Sequence, residues 1–438
     1  MDHLSTRRLF LQKGLTLLAA APTVPAFLDS TVMAMANPLD TARTGRDSGK
    51  DGKILVVVQL SGGNDGLNTV IPYADDHYHR SRPQVAVGAR EVLRLNDYIG
   101  LHPNLAPLKE LYDDGRLSII QGVGYPNPNR SHFRSMDIWH SAQPEREVVT
   151  NGWLGRYFDN TCSGADPHVG VTIGETNVLA MKGDRISPLQ FERPEAYRYR
   201  GDDLESYLRL NAIDPANPTT LPSSPASTRK PGRRETVQPP TADQQLDFLH
   251  RTALDAQLSS DRIQQLARSH RPDSGYPGNE FGQGLRTVAA MIRGGLPTRV
   301  YYVALGGFDT HAAQKNRHDQ LMQQFAQGVR AFWRDLKQQE NDQRVLMLTF
   351  SEFGRRVKQN ASQGTDHGAA APMFLIGPSV TQGIVGAHPS LTDLDEGDLR
   401  FGIDFRSVYA TVLQQWLNTP SKPVLGRQFP QIERLIRG

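Results

Sequence analysis

A single cysteine, Cys162, leaves the chain without an internal disulfide, so its 438 residues must rest on a core or on bound ions. An excess of one charge is also missing. Lys and Arg number 49 against 46 Asp and Glu, a formal +3 spread too evenly for a nucleic-acid surface. Beyond the N-terminal segment no apolar run is long enough to suggest a membrane helix. Several signatures are absent too: the G-x-x-x-x-G-K-[ST] phosphate loop, the H-E-x-x-H helix and the G-x-S-x-G elbow. "GQGLRTVAAMIRGG" is not a dinucleotide fingerprint. What remains is the composition of a globular protein, 38% hydrophobic and 22% charged, long enough for one large domain or two ordinary ones.

The N-terminus carries an export pattern. Arg7 and Arg8 precede Leu9-Phe10-Leu11 and Lys13; the apolar stretch "GLTLLAAAPTVPAFL" and then "AMAN" follow. A charged start, a short apolar core and an A-x-A site make a signal peptide over 1–36, and the paired arginines point to the twin-arginine route. Pro22 and Pro25 interrupt the apolar stretch, which argues against an anchor. The expectations are cleavage near Ala36, the twin-arginine translocation machinery as partner, a periplasmic or secreted location, and no integral membrane segment after cleavage. That route carries folded proteins, often with cofactors already loaded, which favours a metal.

Residues 37–52 read as a flexible lead-in. "KILVVVQL" (53–60) and "LSIIQGVG" (117–124) are continuous apolar runs, the pattern of strands buried on both faces. "LHPNLAPLKELYDDGRL" lies between them with helical spacing. The same grammar returns in "FGQGLRTVAAMIRGG", "RVYYVAL", "HDQLMQQFAQGVRAFWRDLKQQ", "RVLMLTF", "APMFLIG" and "DFRSVYATVLQQWL". This predicts an α/β fold with a mostly parallel sheet sandwiched by helices, one domain over 53–438. An insertion of about 200–275 divides it, with a Pro/Ser-rich linker at 215–245 and a long helix over 242–270.

In open α/β sheets, ligands bind beyond the carboxyl ends of the strands. There the sequence collects its polar residues: Asp65 in "SGGNDG"; Arg130, Ser131 and His132 in "NPNRSHF"; Asp309 and His311 in "GGFDTH"; Glu352 in "SEFG". Asp366 and His367 stand in "TDHG", just before "APMFLIG". Each has a plain reading as well, for "NDG" is a turn signal and "SEFG" a helix start with Ser351 as cap. Together they form a set of oxygen and nitrogen donors that suits Zn, Mn or a similar divalent ion. Acids gathered without a cation would repel one another.

"VVVQLSGGNDGLNTVIPY", "LHPNLAPLKELY", "RSHF", "GGFDTH", "SEFGRR" and "TDHGAAAPMFLIG" together resemble the bacterial domain-of-unknown-function family 1501. In fold, that family is similar to the alkaline phosphatase and sulfatase superfamily. The resemblance implies an alkaline-phosphatase-like domain with one or two divalent metal ions held by Asp65, Asp309, His311, Glu352 and His367, with Asp366 assisting. Ser131 stands where the nucleophile belongs. Phe353 follows Glu352 where that superfamily has a His or Asn, and the C-x-P-S-R motif of sulfatases is missing.

The expected activity is metal-dependent hydrolysis of a phosphate or related anionic ester, on a small molecule or polysaccharide. A metal-activated Ser131 attacks, Arg130 steadies developing charge, and His132 protonates the leaving group. Two alternatives remain open. One is a non-catalytic exported binding or assembly protein with a structural metal. The other is a sulfatase-like enzyme acting on envelope polysaccharide.

Overall fold

The valine-rich run after Lys53 forms a strand in which every residue is buried, with its side chains divided between two cores. Ile54, Val56, Val58 and Leu60 enter one, Leu55 and Val57 the other. A strand covered on both faces needs helices on both sides, and the computed structural model has that arrangement. It describes residues 52–162, 167–174, 178–186, 188–195 and 260–437. The signal peptide, nearly all of the lead-in and most of the insertion, including its linker, lie outside these. Of the long helix, residues 260–269 are described and are helical.

The first half contains β1 (Ile54–Leu60), α1 (Ala106–Asp113), β2 (Leu117–Gly124), α2 (His132–Ser141), α3 (Trp153–Thr161), β3 (Gly170–Ile173) and β4 (Leu189–Phe191). The second contains α4 (Glu280–Arg293), β5 (Val300–Leu305), α5 (Gln314–Gln338), β6 (Val345–Phe350), β7 (Arg355–Gln359) and β8 (Thr365–His367). After them come β9 (Ala371–Ile376), β10 (Gly383–Val385), β11 (Ile403–Asp404) and α6 (Phe405–Thr411). Helices α1, α4 and α5 cover one face of the sheet, and α2, α3 and α6 the other. In α5, Leu321, Phe325, Val329, Phe332 and Leu336 form a stripe three and four residues apart, all buried. Each such side chain contributes about 1.5–3 kcal/mol by leaving water. Helix α1 starts later than its apolar pattern suggests. His102 and Pro103 break the chain into a 3-10 turn at Pro103–Leu105, with the His102 ring accepting from the Asn104 N–H at 3.1 Å.

The main sheet runs β10-β2-β9-β6-β1-β5-β3-β4, with β11 beside β2. Every pairing in it is parallel except those of β9 with β2 and β6. The mostly parallel sheet expected from the sequence is therefore present, with one reversed strand. Reversal matters for function. The loops after β1, β2, β5 and β6 all leave one edge of the sheet, and β9 starts at that edge, so the segment before it belongs there too. β7 and β8 form a hairpin, with Arg355 opposite His367, and deliver Asp366 and His367 to the same place. No helix among the described residues is long and apolar enough to cross a membrane.

Candidate metal centre

The loop after β1 turns at Gly62, whose φ of 116° is a glycine conformation. A Cβ there would stand 2.5 Å from the Asp309 amide nitrogen, so only glycine lets the loops after β1 and β5 approach this closely. The Gly62 N–H donates to Glu352 Oε1 at 2.8 Å and ties in the loop after β6. Arg355, 1% exposed, completes the assembly. Its guanidinium donates to Gly63 O at 2.7 Å, Thr365 O at 2.7 Å, Phe308 O at 3.0 Å, Asp309 Oδ1 at 2.8 Å and also Gly62 O. One buried fork thus fixes three segments, 62–63, 308–309 and 365, to its own.

On this frame three imidazoles turn their Nε2 atoms toward Asp309. His311 and His367 lie 3.0 and 3.1 Å from Oδ1, and His132 lies 3.5 Å from Oδ2. One donor atom from each of His132, Asp309 and His367 falls within 4.8 Å of the others. The Nε2 atoms of His311 and His367 are 2.9 Å apart. Each ring is oriented from behind through Nδ1: His132 by Glu352 Oε1 at 3.0 Å, His311 by Asp366 Oδ1 at 3.4 Å, and His367 by the Arg130 carbonyl at 2.7 Å. A carbonyl or carboxylate only accepts, so Nδ1 carries the proton and the neutral ring presents a bare Nε2. This outer support of ligating histidines is the usual companion of a metal.

The arrangement is frustrated without a cation. Bare nitrogens face each other and a carboxylate oxygen, and His132 Nε2 is buried with no hydrogen-bond partner. Asp309, Glu352 and Asp366 outnumber the one guanidinium among them, Arg355, leaving two negative charges. Burial pushes the Asp309 carboxyl up, but the net shift is downward, with the hydrogen bond from Arg355 foremost among the groups that hold it ionised below the ordinary range. The hydrogen bond from Glu352 raises the His132 pKa, whereas burial lowers that of His367. Three nitrogens and a carboxylate suit Zn, Mn, Fe or a similar transition ion, not Ca or Mg, which take oxygen. The residues fit a divalent metal.

The other expected residues stand elsewhere. Asp65 is fully buried, with Oδ2 accepting from Arg82 at 2.6 Å and from Gln314 at 2.5 Å, so its charge is already balanced. It also caps the short helix Gly66–Thr69. Glu352 and Asp366 support histidines rather than pointing their free oxygens at the centre. The Arg130 guanidinium turns away to Asp398 at 2.8 Å and Glu396 at 3.4 Å; only its carbonyl serves the site. Ser131 is the exposed N-cap of α2, next to His132, and its hydroxyl makes no capping bond. Ser351 starts no helix: its hydroxyl accepts from the Asn64 N–H and donates to the Leu60 carbonyl. His132, read as an acid catalyst, is placed as a donor. Sequence reasoning gave no role to Arg355, though it lies within the "SEFGRR" motif, nor to Arg82.

The family model described as "Protein of unknown function (DUF1501)" matches residues 52–429, and the chain belongs to that family. No curated protein matches it. Among solved structures it is similar to the PsFucS1 sulfatase from Pseudoalteromonas sp., at 11% identity and a TM-score of 0.37, over 94% of this chain and 75% of that one. It is similar to a protein in the alkaline phosphatase superfamily from Vibrio parahaemolyticus, at 8% identity and a TM-score of 0.35, over 92% and 77%. The C-terminal periplasmic domain of EptC from Escherichia coli matches at 8% identity and a TM-score of 0.35, over 89% and 91%. Scores this low transfer no activity.

Proposed function

We propose that this member of the DUF1501 family is an exported, metal-dependent hydrolase of a phosphate or related anionic ester. The observation that carries the reading is the convergence of three outward-braced imidazoles on Asp309 at the carboxyl edge of the sheet. His132, Asp309, His311 and His367 would hold the ion. Bound there, it supplies Lewis acidity toward an ester oxygen and lowers the pKa of a neighbouring hydroxyl.

The chain's own residues provide the rest. Asp309 and His311 are 48% and 43% exposed at their side chains, so the centre is open to a substrate. Structural metal sites are closed, which favours catalysis over the non-catalytic reading. Ser131 is the nucleophile in this proposal, with an exposed hydroxyl free of any capping duty. The first-turn amides of α2 have no partner within the helix, and an anionic ester beside Ser131 meets them. His132 holds the ion instead of protonating a leaving group. Arg130 acts through its carbonyl, orienting His367. Export by the twin-arginine route to the periplasm or beyond belongs to the same proposal.

A panel of paired phosphate and sulfate esters, offered to metal-loaded and chelated protein, tests the reading. Hydrolysis that disappears with chelation and in Asp309→Ala/His367→Ala is expected. Ser131→Ala should lower kcat at least about a hundredfold. Full activity in the double variant would contradict a metal-dependent enzyme. Preference for the sulfate members would select the sulfatase-like alternative.

A further inference from the structure

We infer that the centre is mononuclear: it takes one transition-metal ion, because the carboxylates a second ion would need are already engaged, Asp65 by the buried Arg82 and Glu352 and Asp366 behind the histidines. This deepens the metal-centre reading and rests on it, but it does not depend on what ester is hydrolysed.

Six ionisable side chains were expected to ligate, and the structure sorts them by what their donor atoms already do. Asp65 is closed off. Arg82 meets it at 2.6 Å with both side chains fully buried, and Arg82 is itself held by Val357 O at 2.9 Å, Arg356 O at 2.7 Å and Asn68 Oδ1 at 2.9 Å. An ion could reach Asp65 only by displacing a fully buried guanidinium from its bonds. Glu352 is 1% exposed, and its Oε1 already accepts from the Gly62 N–H and His132 Nδ1. Asp366 accepts from Asn360 Nδ2 at 3.0 Å behind His311. The donors left facing one another are therefore three Nε2 atoms and Asp309 Oδ2, enough for one ion and not for two.

Charge agrees with this count. Arg355 sits 2.8 Å from Asp309 Oδ1 and cannot swing away, since its other donors are bound to four backbone carbonyls. It acts as a permanent cation beside the ligand. The two negative charges it leaves uncompensated match a single divalent ion. Arg130 and Arg356 are paired with Asp398 and Glu396 instead.

The test is a titration of the metal-stripped, exported protein with Co2+ and Zn2+, read by calorimetry and by the visible spectrum of bound cobalt. One equivalent is expected, with Ca2+ and Mg2+ failing to displace it at a hundredfold excess. Asp65→Asn should keep that equivalent and a Kd within about threefold, whereas His367→Ala should lose it. Should Asp65→Asn not fold, the stoichiometry of the unaltered chain decides alone. Two equivalents, loss of ion in Asp65→Asn, displacement by Ca2+, or no binding would each overturn the inference. One ion bound without hydrolysis of any ester would leave it standing and remove the hydrolase reading; two ions with hydrolysis would do the reverse.

Discussion

Glu352 shapes the centre without facing it, since its Oε1 is shared by His132 Nδ1 and the Gly62 N–H. Glu352→Gln keeps the volume but puts a weaker acceptor behind His132. Metal affinity measured by competition with a chelating dye should fall about 10–100-fold, with the fold intact. Asp65 is the opposite case. Burial raises its pKa, but the charge and hydrogen bond of Arg82 outweigh that and hold it below the usual carboxylate value. Its contribution to stability is complete above about pH 4 and lost as pH falls through the lowered folded value. Asp65→Asn should therefore melt well below the unaltered chain at pH 7, with the gap closing in acid. Arg82→Ala, which strands the buried charge, should cost about 3–5 kcal/mol in denaturant unfolding. The sequence could not separate these roles. A carboxylate in a glycine-flanked loop reads alike whether it meets an ion or a guanidinium, and Arg82 stands 17 residues from Asp65 with no motif between them.

Among the elements, β1, β2, β5 and β6 were legible because a doubly covered strand is an unbroken apolar run. The direction of β9 was not, since such a run reads the same in either orientation. The His–Asp cluster was legible in part for the same geometric reason: strand ends in a parallel sheet share an edge, so distant loops there must meet. The braces through Arg130 O and Asp366 depend on backbone placement, which spacing does not encode. Gly62 offers the sharpest test at this scale. Gly62→Ala puts a methyl 2.5 Å from the Asp309 nitrogen in a backbone conformation that L-residues avoid. A loss of about 1–3 kcal/mol is expected, along with weakened metal binding, because the Asp309 loop has to move.

For the molecule as a whole, the chain has one cysteine and closes its functional edge with polar loops, so the ion should also stabilise it. Metal at a hundredfold over Kd adds about 2.7 kcal/mol, and chelation should lower the melting temperature correspondingly. The most direct measurement is anomalous diffraction from crystals of the metal-loaded protein at the absorption edge of the bound ion. The account predicts a single peak enclosed by His132 Nε2, Asp309, His311 Nε2 and His367 Nε2. A peak beside Asp65, or no peak among the three histidines, would contradict it.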